Sequence, residues 1–101
     1  QAPVLVVVAV GPDSVTPFED SAAATCNMLN AAHDLGYGTC WLSANGISAD
    51  LPAYFMATET GKAVNLPADW HVMLVFTLGV PAETPHKEKK PLGDIVSYNS
   101  F

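Results

Sequence analysis

Two kinds of side chain in this sequence could do chemistry, the cysteines and a cluster of lysines. Cys40 lies between Gly38 and Trp41 in the stretch LGYGTCWLS. A nucleophilic cysteine needs a thiolate that a nearby base, cation or helix N-terminus stabilises, and the neighbouring sequence supplies none of these. The sequence therefore favours a packed core cysteine at position 40 over a thiol enzyme.

The lysines are the second candidate. Lys87, Lys89 and Lys90 lie within four positions, in a chain that has no arginine and a formal net charge of −6. Lysine ammonium groups act as point charges that bind phosphate. A solvent-exposed loop that aids solubility has the same composition, so the residues alone leave both interpretations open.

The histidines and glycines favour structural roles. His33, His71 and His86 do not have the spacing of metal ligands, so we expect no metal site. The Gly36 and Gly38 pair does not match G-x-G-x-x-G and follows a helix, which argues against a dinucleotide-phosphate loop. Instead, Gly36 is predicted to end that helix in a left-handed conformation, and Gly38 to allow a close backbone approach.

The elements that position these residues begin with a strand and a long helix. The continuous apolar run from Pro3 to Val10 predicts a central strand that is covered on both faces. Thr16, Pro17 and Glu19 then predict a helix start with a capping box, and the helix should reach about Leu35.

This helix carries few polar side chains. Asp20, Asn27, Asn30 and Asp34 form its polar stripe, and alanines and larger apolar residues fill most of the remainder. The pattern predicts a helix that is buried on most sides. Its many small residues favour a close helix contact, in the centre of the domain or at a subunit interface.

The rest of the chain alternates in the same way. We predict a strand over 37–42, a loop over 43–46, a helix from Leu51 to Thr60 that ends at Gly61, a strand over 71–79, a polar connection over 81–91 and a short last segment over 92–98. One domain over residues 1–101 follows, of α+β class with α/β-like alternation and a sheet that is at least partly parallel.

Composition excludes some functions. Half of the 101 residues are apolar, more than a small solitary domain covers comfortably, which indicates a partner surface. The acidic balance argues against nucleic acid, and the first apolar run is too short to cross a membrane. Two cysteines without a disulfide or zinc pattern predict a reducing compartment, the cytoplasm.

Because the sequence starts at Gln1 without a methionine, we expect that residues are missing upstream.

Three stretches together carry a family resemblance. They are NMLNAAHDLGYGTCWLS, LPADWHVMLVFTLGVPAE and HKEKKPLGDIVSYNSF, in that order. They resemble the C-terminal half of the FMN-dependent nitroreductase family, and the resemblance covers essentially the whole chain. It implies a nitroreductase-type fold, with a mixed central sheet flanked by helices, of which the C-terminal portion is present.

The resemblance also implies an activity. It implies a homodimer with FMN in a cleft at the subunit interface, which reduces nitroaromatics, quinones or similar small-molecule acceptors with electrons from NAD(P)H. Hydride transfer would be ping-pong, and no side chain need act as a catalytic acid or base because the cofactor carries the chemistry.

The resemblance also assigns site residues. The loop after Cys40 and Trp41 would lay its backbone along the isoalloxazine, with Ser43 and Ala44 near N5 and O4 of the ring. The family's phosphate-binding cations fall on Lys87 and Lys89. The family's N-terminal Arg-rich motif has no counterpart in this sequence, so the alternative is a non-catalytic, truncated homologue that serves dimerisation or assembly.

Overall fold

Three strands and two α-helices form the body of the protein within residues 2–44, 46–47 and 53–99, the part that a computed structural model describes. Their order is β1 (Val4–Val10), α1 (Pro17–Asp34), β2 (Gly38–Ser43), α2 (Ala53–Ala63) and β3 (His71–Gly79), followed by a short 3-10 helix at Leu92–Asp94. None of the described helices is long and apolar enough to span a membrane.

The described strands form one sheet in the order β1-β3-β2, and both ladders are antiparallel. Val75 at the centre of β3 pairs with Val7 on one side and with Leu42 on the other. The α+β class is confirmed, but the predicted parallel pairing is wrong for these strands. β1 and β2 do run in the same direction, as a strand-helix-strand unit requires, yet β3 lies between them and pairs with both.

The predicted central strand is β1, and among the described strands it lies at an edge. Its residues are half-buried, and Val4 and Leu5 at its start are exposed. The central strand is β3, in which Val72, Met73, Val75 and Phe76 are buried. Unbroken apolarity therefore identified both strands correctly but did not distinguish the centre of the sheet from its edge.

Helix α1 begins at Pro17 as predicted, but the capping box is wrong. The Thr16 side chain makes no capping hydrogen bond, and its hydroxyl instead donates to Asp20 Oδ2 over 3.0 Å. The carboxylate is the stronger acceptor within reach, and Ser14 also donates to it over 3.2 Å.

The end of α1 confirms the predicted role of Gly36, whose φ is +83°. The Gly36 amide donates to His33 O over 3.0 Å, and the Tyr37 amide donates to Ala32 O over 2.8 Å. These two bonds are the Schellman pattern that closes a helix and turns the chain into the next element. Gly36 thereby sets the direction in which β2 departs.

The inner face of α1 carries small side chains. Ser21, Thr25 and Ala32 are buried, and α1 contacts all three strands. Its outer face is exposed, so the predicted burial on most sides is wrong for this chain alone. The exposed apolar residues Ala24, Met28, Ala31 and Leu35 follow at helical spacing and are called the α1 stripe below.

Helix α2 passes through Gly61, where we predicted its end, and continues to Ala63. A Cβ at Gly61 would lie 3.6 Å from side-chain atoms of Leu66 and Val72, an ordinary van der Waals contact, so Gly61 neither ends the helix nor is required by the packing there. Asn65, with φ of +53°, supplies the left-handed turn instead, and Leu66 then donates to Gly61 O over 2.9 Å. The predicted start of this helix at Leu51 and Pro52 lies outside the described residues.

The core lies between α2 and the sheet. Its buried members are Ala44, Ala57, Val72 and Val75, with Val7, Leu42, Met56 and Leu66 packed around them. Leu42 in β2 and Ala44 directly after it are therefore fixed in place by packing in this core.

Candidate functional site

The end of β2 is a fixed piece of backbone with one exposed side. Ser43 pairs with Leu74 of β3 and is exposed, whereas the next residue, Ala44, is only 6% exposed and belongs to the core. Successive side chains of an extended chain point to opposite faces. Ala44 therefore anchors the segment, while Ser43 faces outward.

The loop that follows is held a second time at Gly46. The Gly46 amide donates to the carbonyl oxygen of Val72 over 2.7 Å. A Cβ at this position would lie 2.7 Å from that same oxygen and 3.0 Å from Val72 N, closer than a side chain tolerates. Asn45, between the two anchors, lies outside the described residues.

Trp41 extends the exposed surface along β2. It lies opposite Phe76 of β3 and remains exposed. Trp41 and Ser43 are two positions apart, so their side chains share one face of the strand. An aromatic ring, a hydroxyl and a fixed backbone edge together are suited to a flat ligand that is apolar on its face and polar at its rim.

The lysines lie elsewhere, on the exposed connection after β3. Lys87 and Lys89 belong to no helix or strand, and neither forms a salt bridge among the described residues. The described salt bridge joins Lys62 Nζ to Glu59 Oε1 over 2.8 Å, and that hydrogen bond and charge raise the pKa of Lys62. The basic cluster is thus free to bind an external anion.

Trp41 and Ser43 share one exposed face of β2 and Ala44 is buried directly after them, whereas Lys87 and Lys89 lie on the exposed connection after β3. None of these five residues lines the groove at Cys40 or the one at Gly46. Sequence reasoning missed the anchor at Gly46; a glycine two residues after Ala44 was the available signal.

Cys40 corrects the sequence prediction. Its thiol is exposed and free, as is that of Cys26, so the predicted core cysteine is wrong. The reason is that β2 is an edge strand, and Cys40 lines an open groove of about 780 Å³ beside Tyr37 and Pro81. Among the described residues, no three His, Cys, Asp or Glu side chains group in a way that could hold a metal ion.

Comparison with known families now gives these features a context. The family model described as the nitroreductase family matches residues 1–80, and the chain belongs to this family. A search of curated proteins found no match.

Solved structures share the fold. A candidate NADH dehydrogenase/NAD(P)H nitroreductase of Bacteroides thetaiotaomicron is 25% identical with a TM-score of 0.83, and the match covers 100% of this chain and 57% of that one. A nitroreductase with bound FMN from Bacteroides fragilis is 28% identical with a TM-score of 0.71, over 98% and 52% of the two chains.

A third solved structure shares the fold. Iodotyrosine deiodinase bound to FMN and 3-iodo-L-tyrosine is 24% identical with a TM-score of 0.74, over 100% of this chain and 49% of that one. At this identity the likeness shows the fold alone. The present chain spans about half the length of these three proteins.

Proposed function

We propose that this chain is the C-terminal part of an FMN-dependent oxidoreductase that reduces nitroaromatics, quinones or similar acceptors with electrons from NAD(P)H. The observation that carries the proposal is the fixed backbone that runs from the exposed Ser43 to the buried Ala44 in a chain of the nitroreductase family. The FMN bound by the Bacteroides fragilis nitroreductase supports the choice of cofactor.

The residues present fit FMN. The cofactor has a planar ring with polar edge atoms and an anionic phosphate. The exposed indole of Trp41 would contact the ring, and the backbone of Ser43 and Ala44 would meet its polar edge. Lys87 and Lys89, which have no salt bridge among the described residues, would bind the phosphate. When bound, FMN would supply hydride transfer between NAD(P)H and the acceptor.

The chain's own residues have a positioning role in this proposal. A backbone N–H at Ser43 or Ala44 would donate a hydrogen bond to ring atom N5. Burial of the Ala44 side chain and the Gly46 to Val72 hydrogen bond would keep that donor in place, so little ordering is needed on binding. We assign no side chain as an acid or base.

We further propose a homodimer with the cofactor cleft at the subunit interface. The α1 stripe leaves Met28 and Leu35 exposed in the single chain, and Leu35 is 73% exposed. Contiguous exposed apolar surface of this kind marks protein contacts. A cytoplasmic location is also part of the proposal, and the two free thiols support it.

Steady-state kinetics test the activity. The full-length protein that contains this chain is supplied with FMN, then NADH or NADPH is varied against a nitroaromatic or a quinone. Parallel double-reciprocal lines would support the ping-pong mechanism. Absence of FMN-dependent NAD(P)H oxidation with every acceptor would overturn the proposal.

A non-catalytic assembly module is the second candidate, and the exposed α1 stripe is the observation that favours it. Such a module would form a stable oligomer but would not bind flavin. Sizing measurements and an FMN titration on the same sample distinguish it from the flavoprotein.

A further inference from the structure

The regular pairing of the central strand β3 is interrupted at Met73. Along β1, Val8 pairs with Leu74, and the next residue, Ala9, pairs with Val72. Met73 therefore has no partner in β1, although it lies inside β3 and is only 2% exposed. One extra residue on one strand of an antiparallel pair is a β-bulge, called the β3 bulge below.

Side-chain directions in β3 show the same interruption. Successive side chains of a regular strand alternate between the two faces of a sheet, so residues three positions apart face opposite ways. Val72 and Val75 are three positions apart, yet both belong to the core between α2 and the sheet. The extra residue at Met73 accounts for this, because a bulge absorbs one residue without turning the rest of the strand to the other face.

The β3 bulge lies where β2 stops pairing. The β2–β3 ladder ends at the pair of Ser43 with Leu74, directly beside the bulge. In the register of this ladder Gly46 would lie opposite His71, but its amide donates instead to the carbonyl oxygen of Val72. The pairing of β3 with β1 and its contact with the chain after β2 therefore both shift by one residue at the same place.

We infer that the β3 bulge positions the loop proposed to hold the flavin. A bulge bends its strand, increases the local twist and can end regular pairing with a neighbour. Here it stops the β2 ladder at Ser43 and brings the Val72 carbonyl oxygen to Gly46. Met73 is thus a positioning residue that acts through the backbone of Val72. The inference rests on the proposed function, because the same loop would donate to ring atom N5.

Two variants of the full-length protein remove the bulge. Deletion of Met73 shortens β3 by the residue that has no partner in β1, whereas insertion of one glycine after Val8 gives Met73 a partner. Hydrogen exchange followed by NMR on FMN-free protein compares the Gly46 amide with the amides of the β1–β3 ladder. We expect Gly46 exchange to accelerate by about tenfold, the effect of one lost hydrogen bond, while the ladder stays protected.

Met73→Ala separates the side chain from the bulge. This variant keeps the extra residue but loses buried packing, so we expect lower stability while Gly46 stays as protected, relative to the ladder amides, as in the parent protein. A Gly46 amide that remains protected without the bulge would overturn the inference, as would an equal loss of protection in Met73→Ala. Loss of the β1–β3 ladder in both bulge-free variants would also overturn it, because the extra residue would then serve the sheet rather than the loop.

FMN affinity is measured on the same samples by fluorescence titration. We expect the FMN dissociation constant of the bulge-free variants to be higher by about fivefold or more. Parent-like affinity in a variant whose Gly46 amide has lost its protection would overturn the inference, since the bulge would then not act on the flavin. A parent protein that binds no FMN would instead refute the proposed function, which the exchange measurement without FMN does not test.

Discussion

The amide of Gly46 lies 2.7 Å from the carbonyl oxygen of Val72 and donates a hydrogen bond to it. This bond ties the loop after β2 to the beginning of β3. It does so at a position where a Cβ would meet the same oxygen at 2.7 Å. The loop geometry proposed to hold the flavin therefore depends on a glycine.

Gly46→Ala should displace this loop. We expect a loss of about 1–3 kcal/mol in the free energy of unfolding, the usual cost of overpacking, together with weaker FMN binding. Denaturant unfolding and an FMN fluorescence titration measure the two effects. Gly93→Ala is the matched control, because no atom of the described residues, its chain neighbours aside, lies within 4 Å of its Cβ position. Equal stability and affinity in both variants would refute the anchoring role.

Removing the two proposed phosphate contacts should weaken FMN binding specifically. For Lys87→Ala combined with Lys89→Ala, we expect an FMN dissociation constant that is higher by about tenfold or more, since each lost contact is a charge-assisted hydrogen bond. Affinity of the parent protein should also fall as salt is raised. Lys62→Ala is the control, because Lys62 already pairs with Glu59. If the control weakens binding as much as the double variant, the assignment fails.

Replacing Thr25 by valine should stabilise the protein. Its hydroxyl is fully buried on the inner face of α1 and has no hydrogen-bond partner among the residues that the structure describes. Thr25→Val keeps the shape and removes the unsatisfied group, so we expect the free energy of unfolding to rise by about 1–2 kcal/mol. Thr58→Val is the comparison, because the Thr58 hydroxyl donates to Tyr54 O over 2.9 Å. The account is contradicted if Thr25→Val destabilises the protein as much as Thr58→Val does.

Substitutions at Gly36 test why the turn between α1 and β2 contains a glycine. Gly36 has φ of +83°, and apart from its chain neighbours no atom in the described part of the chain lies within 4 Å of its Cβ position, so any cost of a side chain there is conformational rather than steric. We expect Gly36→Ala to lower the free energy of unfolding by about 1–2 kcal/mol, and Gly36→Asn to lower it by less. Thermal or denaturant unfolding measures the stability of the parent protein and of the two variants. An asparagine variant less stable than the alanine variant would argue against this explanation.

Local signals in the sequence predicted most of the elements. The apolar run over 71–79 gave β3 with its observed bounds, and Pro17 and Gly36 marked the two ends of α1. These signals work because backbone restrictions at proline and glycine act within one turn of chain.

Properties that depend on distant parts of the chain were harder to predict. The position of β3 between β1 and β2 depends on pairing between strands that are far apart in sequence. That pairing left Cys40 on an edge strand and therefore exposed, which no feature near Cys40 indicates. The candidate site likewise combines a part that local motifs predict and a part that depends on contacts between distant residues. Ser43 and Ala44 could be proposed from motifs, whereas the anchor from Gly46 to Val72 required the fold.

Flavin binding tests the central claim most directly. The full-length protein that contains this chain is purified, its visible absorbance is recorded, and FMN is titrated while fluorescence quenching is followed. The account predicts saturable FMN binding at one flavin per chain. A colourless protein that neither quenches FMN fluorescence nor acquires flavin absorbance after addition of FMN would contradict it.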